Sequence, residues 1–197
     1  MARVMLEHLN EIESKSSGLT KMQHVCYACS VCQRQLSTFK AEAKYATERE
    51  SLGRYLDQVW AWLEDETDKV FRGNFSIDLF LDSYGLMSYG QGFGDVIYSV
   101  ATLHNFLVKN LDIPTKLVSS HALDSLDSLV YELMDLTVSN VNDDLVDQHP
   151  LIQREFIRQK RDLSVVCDKE LSGESVQLLK AAAKHEQLVD VCPLPDF

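Results

Sequence analysis

Apolar residues recur along most of the chain every three or four positions, the pitch of an α-helix that buries one face. The clearest stripe is Leu52, Tyr55, Leu56, Val59, Trp60 and Leu63, which predicts a helix over 48–70 closed by Arg72-Gly73-Asn74. Val4, Met5, His8, Leu9 and Ile12 predict a first helix over 4–13, followed by the loop SKSSG at 14–18. Thr20 is placed to cap a second helix that runs to about Ser37. A third helical stretch covers 38–47 and is rich in Ala, Glu and Lys.

Phe75, Ile77, Leu79 and Leu81 alternate like a strand, but a lone strand has nothing to pair with, so a short helix is expected there. Residues 83–94 form the main irregular segment and hold four of the eight glycines. Asp95 is placed to cap a broadly apolar helix to about Asn110, and Asp112-Ile113-Pro114 breaks the chain. Ser120 is expected to open the next helix, to about Val141. Its inward face is Leu123, Leu126, Leu129, Val130, Leu133, Met134 and Thr137, with Asp124, Glu132 and Asp135 opposite. Pro150 sits at the first turn of a further helix ended by Leu171-Ser172-Gly173, and a last helix covers 174–189. The fold class is therefore all-α: a single-domain antiparallel bundle of about seven helices over 1–197, with an N-terminal helix and loop at 1–18 and a loose tail at 190–197.

Composition narrows the function. A hydrophobic content of 45% is enough for a core, and the net charge of −11 repels phosphate backbones and anionic lipid. No nucleic-acid or membrane partner is expected, and no stretch approaches the ~20 apolar residues of a membrane span. The start lacks the continuous apolar run of a signal peptide, and five cysteines in such a chain suggest free thiols in a reducing, cytoplasmic setting.

Candidate chemistry is sparse. Cys26, Cys29 and Cys32 make C-x-x-C-x-x-C, a spacing that ligates zinc or iron–sulfur clusters when the backbone loops around the metal. The run HVCYACSVCQRQL has no Gly or Pro to form that loop, which favours buried thiols on a helix and no metal or cofactor. Gly90, Gly92 and Gly94 in YGQGFGDV precede a helix as a phosphate loop would, yet match no nucleotide fingerprint. His104 lies on an apolar face, where an imidazole is a base, a ligand or a satisfied core residue. Helical nucleotide pyrophosphohydrolases hold magnesium with paired helix carboxylates, and Glu132 with Asp135 makes one such pair. Arg154, Arg158 and Arg161 form the basic stripe of an acidic chain, either a dock for an acidic partner or an intramolecular match. Trp62, at the rim of its apolar stripe, is an interface anchor or a cover for the core edge.

Several short stretches, taken in order, resemble the YjaG-like bacterial family, domain of unknown function 416. They are Gln23-His24-Val25, Cys32-Gln33-Arg34, Tyr55-Leu56-Asp57 with Trp60, Tyr89-Gly90, Val100-Ala101, His149-Pro150, Glu155 and Cys167. The resemblance spans about residues 20–170. It implies an all-helical cytoplasmic protein and supplies no catalytic residue, because the family carries no established activity. Cys26 and Cys29, and Gly92 and Gly94, depart from its pattern.

The leading expectation is a non-enzymatic interaction or regulatory protein that self-associates as a homodimer, its amphipathic first helix packing across a twofold axis. One alternative is a metal-assisted hydrolase using Glu132, Asp135 and His104. The other is an acidic inhibitor or immunity-type protein that masks a basic partner.

Overall fold

A computed structural model describes residues 3–38, 45–65, 70–73, 75–76, 92–111, 113–136, 143–168 and 171–186. Within them the chain forms eight helices and no strand: α1 (Arg3–Ser16), α2 (Lys21–Thr38), α3 (Ala46–Glu64), α4 (Phe93–Lys109), α5 (Pro114–Leu133), α6 (Asp143–Gln148), α7 (Pro150–Cys167) and α8 (Gly173–His185). The all-α bundle expected from the sequence is thus observed.

Helix α2 is the axis. Every residue from Gln23 to Leu36 except Gln33 is buried, because α3, α4, α5, α7 and α8 all pack around it. It starts with a capping box: Thr20 Oγ1 accepts from the Gln23 amide at 3.3 Å, and Gln23 Oε1 accepts from the Thr20 amide at 2.8 Å. The same Gln23 donates from Nε2 to the Val166 carbonyl at 2.6 Å, which ties the head of α2 to the end of α7.

Side-chain ties set the directions. Ser125 of α5 bonds Asp95 of α4, so those two helices run antiparallel. Gln23 meets residue 166 and Arg34 meets Glu155, so α2 and α7 are also antiparallel. His24 bonds Thr115 and Tyr27 bonds Ser119, which makes α2 and α5 parallel. Helices α1 and α7 are parallel too, with His8 on Gln159 and Lys15 at Cys167. The main core includes Leu52, Leu56, Trp60, Val96, Ile97 and Leu103 around α2. A second cluster joins Met5 and Leu9 of α1 to Leu123, Leu126, Val130, Val146, Ile152 and Phe156.

Several boundaries differ from expectation. Helix α1 runs to Ser16, into the expected loop. Helix α3 ends at Glu64, six residues early, with Asp65 extended. Helix α4 begins at Phe93, so Asp95 lies inside its first turn and accepts from Ser125 instead of capping. Helix α5 begins at Pro114, whose fixed φ suits a first helical position, so Ser120 is interior. It ends at Leu133, leaving Leu133 and Met134 exposed. Helix α6 was not anticipated. Helix α7 stops at Cys167, and Ser172 instead caps α8, accepting from the Ser175 amide at 3.2 Å. Phe75 and Ser76 are not helical. The third helical stretch between 39 and 44, the remainder of the expected 77–81 helix, residues 83–91 with Gly90, and the tail at 190–197 lie outside the described residues.

Candidate functional site: a buried ionic seam between α2 and α7

Arg34 has no exposed surface, and its partners Glu155 and Asp162 are equally enclosed. Its Nη2 donates to Glu155 Oε1 at 3.0 Å, and its Nη1 to Ser30 Oγ at 2.9 Å and to Asp162 Oδ2. Ser30 Oγ also donates to Asp162 Oδ2 at 2.6 Å. Ser30 and Arg34 are one helical turn apart on α2, while Glu155 and Asp162 are two turns apart on α7. One guanidinium therefore bridges both carboxylates along a single helix–helix seam. Burial opposes its charge, yet the two carboxylates and their bonds raise the Arg34 pKa, so the guanidinium stays ionised. Burial pushes the Asp162 carboxyl up, but Arg34, Ser30 and Arg161 outweigh it and hold the group below its ordinary value.

The seam extends at both ends. Gln159 donates from Nε2 to Glu155 Oε1 at 3.1 Å, and its Oε1 lies 2.9 Å from His8 Nε2. At the other end, Arg161 bonds Asp162 Oδ1 at 2.7 Å and Glu186 Oε2 at 2.9 Å, with Arg158 3.5 Å from the same Glu186 oxygen. Three arginines thus face three carboxylates, and the cluster is neutral. Such an arrangement fixes which faces of α1, α2, α7 and α8 meet. Each of the six ions is engaged by another, while Arg34 Nε and Glu155 Oε2 are buried without a hydrogen-bond partner.

The basic stripe of the sequence resolves here. Arg158 and Arg161 are turned to Glu186, just past the last residue of α8, and so serve within the chain; Arg154 is partly buried on the same helix. Trp62 is half-buried and meets the Phe71 ring edge to face at 6.0 Å. His104 is half-buried, with Nδ1 3.2 Å from the Tyr55 hydroxyl and its ring 5.7 Å from Phe75. Burial, assisted by Lys109, lowers its pKa. Burial also raises that of Tyr55, so this pair is an uncharged hydrogen bond at neutral pH.

Glu132 and Asp135 are exposed at the far end of α5. Given the antiparallel Asp95–Ser125 tie, His104 is level with the first turn of α5, and Glu132 lies about 24 Å further along the axis at 1.5 Å per residue. The structure does not bring Glu132 and Asp135 together with His104. Among the described residues no group of three His, Cys, Asp or Glu side chains is placed to hold a metal ion.

Cys26, Cys29 and Cys32 are free and fully enclosed. They are buried together because α2 is covered on every side, and helical spacing fans them over a broad arc of it. Burial pushes the Cys26 thiol up to about 12 and raises Cys29 and Cys32 as well. These are inert, protonated core groups.

The seam itself escaped the sequence reading. Arg34 lies more than a hundred positions from Glu155 and Asp162, and the available signal was the polar residues set among the apolar ones of α2. A bundle threaded by a buried, polar axial helix is the class of protein that the fold and seam define. The chain has the fold of a crystal structure of a DUF416 family protein from Shewanella baltica OS155, with a TM-score of 0.58 over 86% of this chain and 91% of that one, at 20% identity. That is the family whose pattern the sequence resembles. No protein-family model matches the chain, and no curated protein matches it.

Proposed function

We propose that the chain is a divergent DUF416 family member and acts as a non-enzymatic interaction or regulatory protein that self-associates in the cytoplasm. The shared fold and the family-like residues support the first part: Gln23, His24, Arg34 and Glu155 all serve as ties between helices. The free thiols support a reducing compartment. Among the described residues, no helix is long and apolar enough to cross a membrane.

Self-association requires an apolar surface. Most of the apolar face of α1, expected to pack across a twofold axis, is covered within the chain: Met5, His8, Leu9 and Ile12 are buried, and Val4 is 40% exposed. The observation that carries the proposal lies elsewhere, at the corner where α4 turns into α5. Val108, Leu111, Ile113 and Leu117 are between 40% and 56% exposed there. Met22 is 37% exposed beside Lys21, whose Nζ reaches the Leu107 carbonyl and Asn110 on the same corner. Several large apolar side chains exposed at one corner support an interface there, and a twofold contact would cover this patch with its own copy.

Light scattering at tens of micromolar tests this. A dimer is expected for the unmodified chain and a folded monomer for Ile113→Asp combined with Leu117→Asp. A strict monomer for the unmodified chain overturns the proposal, as does a dimer that the double variant leaves intact.

A further inference from the structure

We propose that α1 is an arm latched by the neutral imidazole of His8 and released when that ring is protonated in mild acid. His8 is 4% exposed and stacks on Phe156, with ring centroids 4.3 Å apart. Its partner Gln159 is oriented by the rest of the seam. Gln159 Nε2 donates to Glu155 Oε1, an oxygen that can only accept, and to the Ser119 carbonyl. Gln159 therefore presents Oε1 to His8, and His8 must donate from Nε2. Its Nδ1 is left as a bare acceptor, buried without a partner. A proton added at Nδ1 would create a buried cation whose new N–H has no acceptor.

The surroundings compensate such a cation only in part, the Gln159 bond and Glu11 favouring it and burial with Lys160 and Lys15 opposing it. On α1 itself, Glu11 is already held by Lys15 and Lys160 at 2.7 Å each, and both lysines oppose a charge on the ring. On α7, Glu155 lies behind Gln159 and is engaged by Arg34. Helix α5 offers the Ser119 carbonyl, already taken by Gln159, and Lys116, which is paired with Glu13. Helix α6 offers Asp147, whose Oδ2 accepts from the Val4 amide at 3.0 Å, one turn before His8, and whose Oδ1 is buried without a hydrogen-bond partner. Burial is the largest influence on the ring and lowers its pKa below 6.5.

The sign follows. The docked arm binds this proton less readily than the released arm. Docking is therefore complete above the ordinary histidine pKa and is lost as pH falls below it. Release is local because Met5 and Leu9 belong to the second cluster, Ile12 being the arm's one side chain in the core around α2, and because Ser17-Gly18 provides a non-helical hinge.

The test is hydrogen–deuterium exchange of the full chain at pH 7.5, 6.5, 5.5 and 5.0, with rates corrected for intrinsic chemistry. The drop in protection over residues 5–15 should approach the one-proton limit of about tenfold per pH unit below 6.5, while α2 keeps its protection. His8→Gln and His8→Phe should each make α1 protection independent of pH. The proposal is overturned by flat α1 protection in the unmodified chain, by the same drop in His8→Gln, or by α1 and α2 opening together. Should the variants not fold, the His8 ring is titrated by NMR in the unmodified chain. A midpoint below 6.5 that tracks α1 opening supports the latch, and a midpoint at or above 6.5 ends it.

Discussion

Replacing Arg34 with Met keeps an unbranched side chain, shortens it by the guanidinium end and removes its charge. Glu155 and Asp162, both enclosed, then lose the cation that faces them. Breaking one partner out of a buried ion pair costs roughly 3–5 kcal/mol, because the remaining charge is stranded without water. Against a total stability of about 5–15 kcal/mol, that is a large fraction. For a chain of this size each kcal/mol moves Tm by about 2–4 °C, so a fall of roughly 6–20 °C is expected. The cost also depends on pH. In the intact seam Asp162 sits below its ordinary value of 3.8, a contribution present above that pH and lost as pH falls through the folded value. Without Arg34 the Asp162 carboxyl keeps Ser30 and Arg161 but loses the largest influence holding it down, so it moves up and acid neutralises it at higher pH than in the intact chain. Urea unfolding followed by Trp fluorescence at pH 7.5 and pH 5 should therefore show a cost that shrinks in acid. Adding Asp162→Asn should recover part of it at pH 7.5. A cost under about 1 kcal/mol at pH 7.5, or one unchanged at pH 5, refutes the reasoning.

Two further expectations are independent of the seam. A thiol reagent of the Ellman type should label Cys167, which is exposed, in the native chain, and should reach Cys26, Cys29 and Cys32 only in denaturant; rapid native labelling at Cys29, read by mass spectrometry, contradicts the buried axis. Asp135 has φ 49, a left-handed conformation, at the exposed end of α5, so Asp135→Gly should be neutral or stabilising by up to about 1 kcal/mol, while Asp135→Val should cost roughly 1–2 kcal/mol by thermal unfolding; equal effects would remove the backbone explanation.

The part of the fold that was legible is the part where one helix face is apolar. The Leu52 to Leu63 stripe of α3 is buried as spaced, because a half-covered helix must show a 3.6-residue rhythm. Helix α2 breaks that rule. Gln23, His24, Ser30, Arg34 and Gln35 are buried beside Val25 and Cys29, so the helix shows no single apolar face, although its place at the centre of the bundle was expected. What makes it tolerable is a set of partners on α5 and α7 that are adjacent only after folding. The start of α5 was misplaced for a local reason: Ser120 has the chemistry of a cap, but Pro114 already has the dihedral a first turn needs. The arginine stripe was visible as a pattern, and its direction was not, because Glu186 reaches Arg158 and Arg161 only through the packing of α8.

Native-state amide exchange across α2 tests most directly whether this polar helix is the structural axis. Amides from Val25 to Leu36 are expected to exchange last in the whole chain, at the rate set by global unfolding and in step with the denaturant-derived stability. Exchange there as early as in α8, or by a local opening cheaper than global unfolding, contradicts the account.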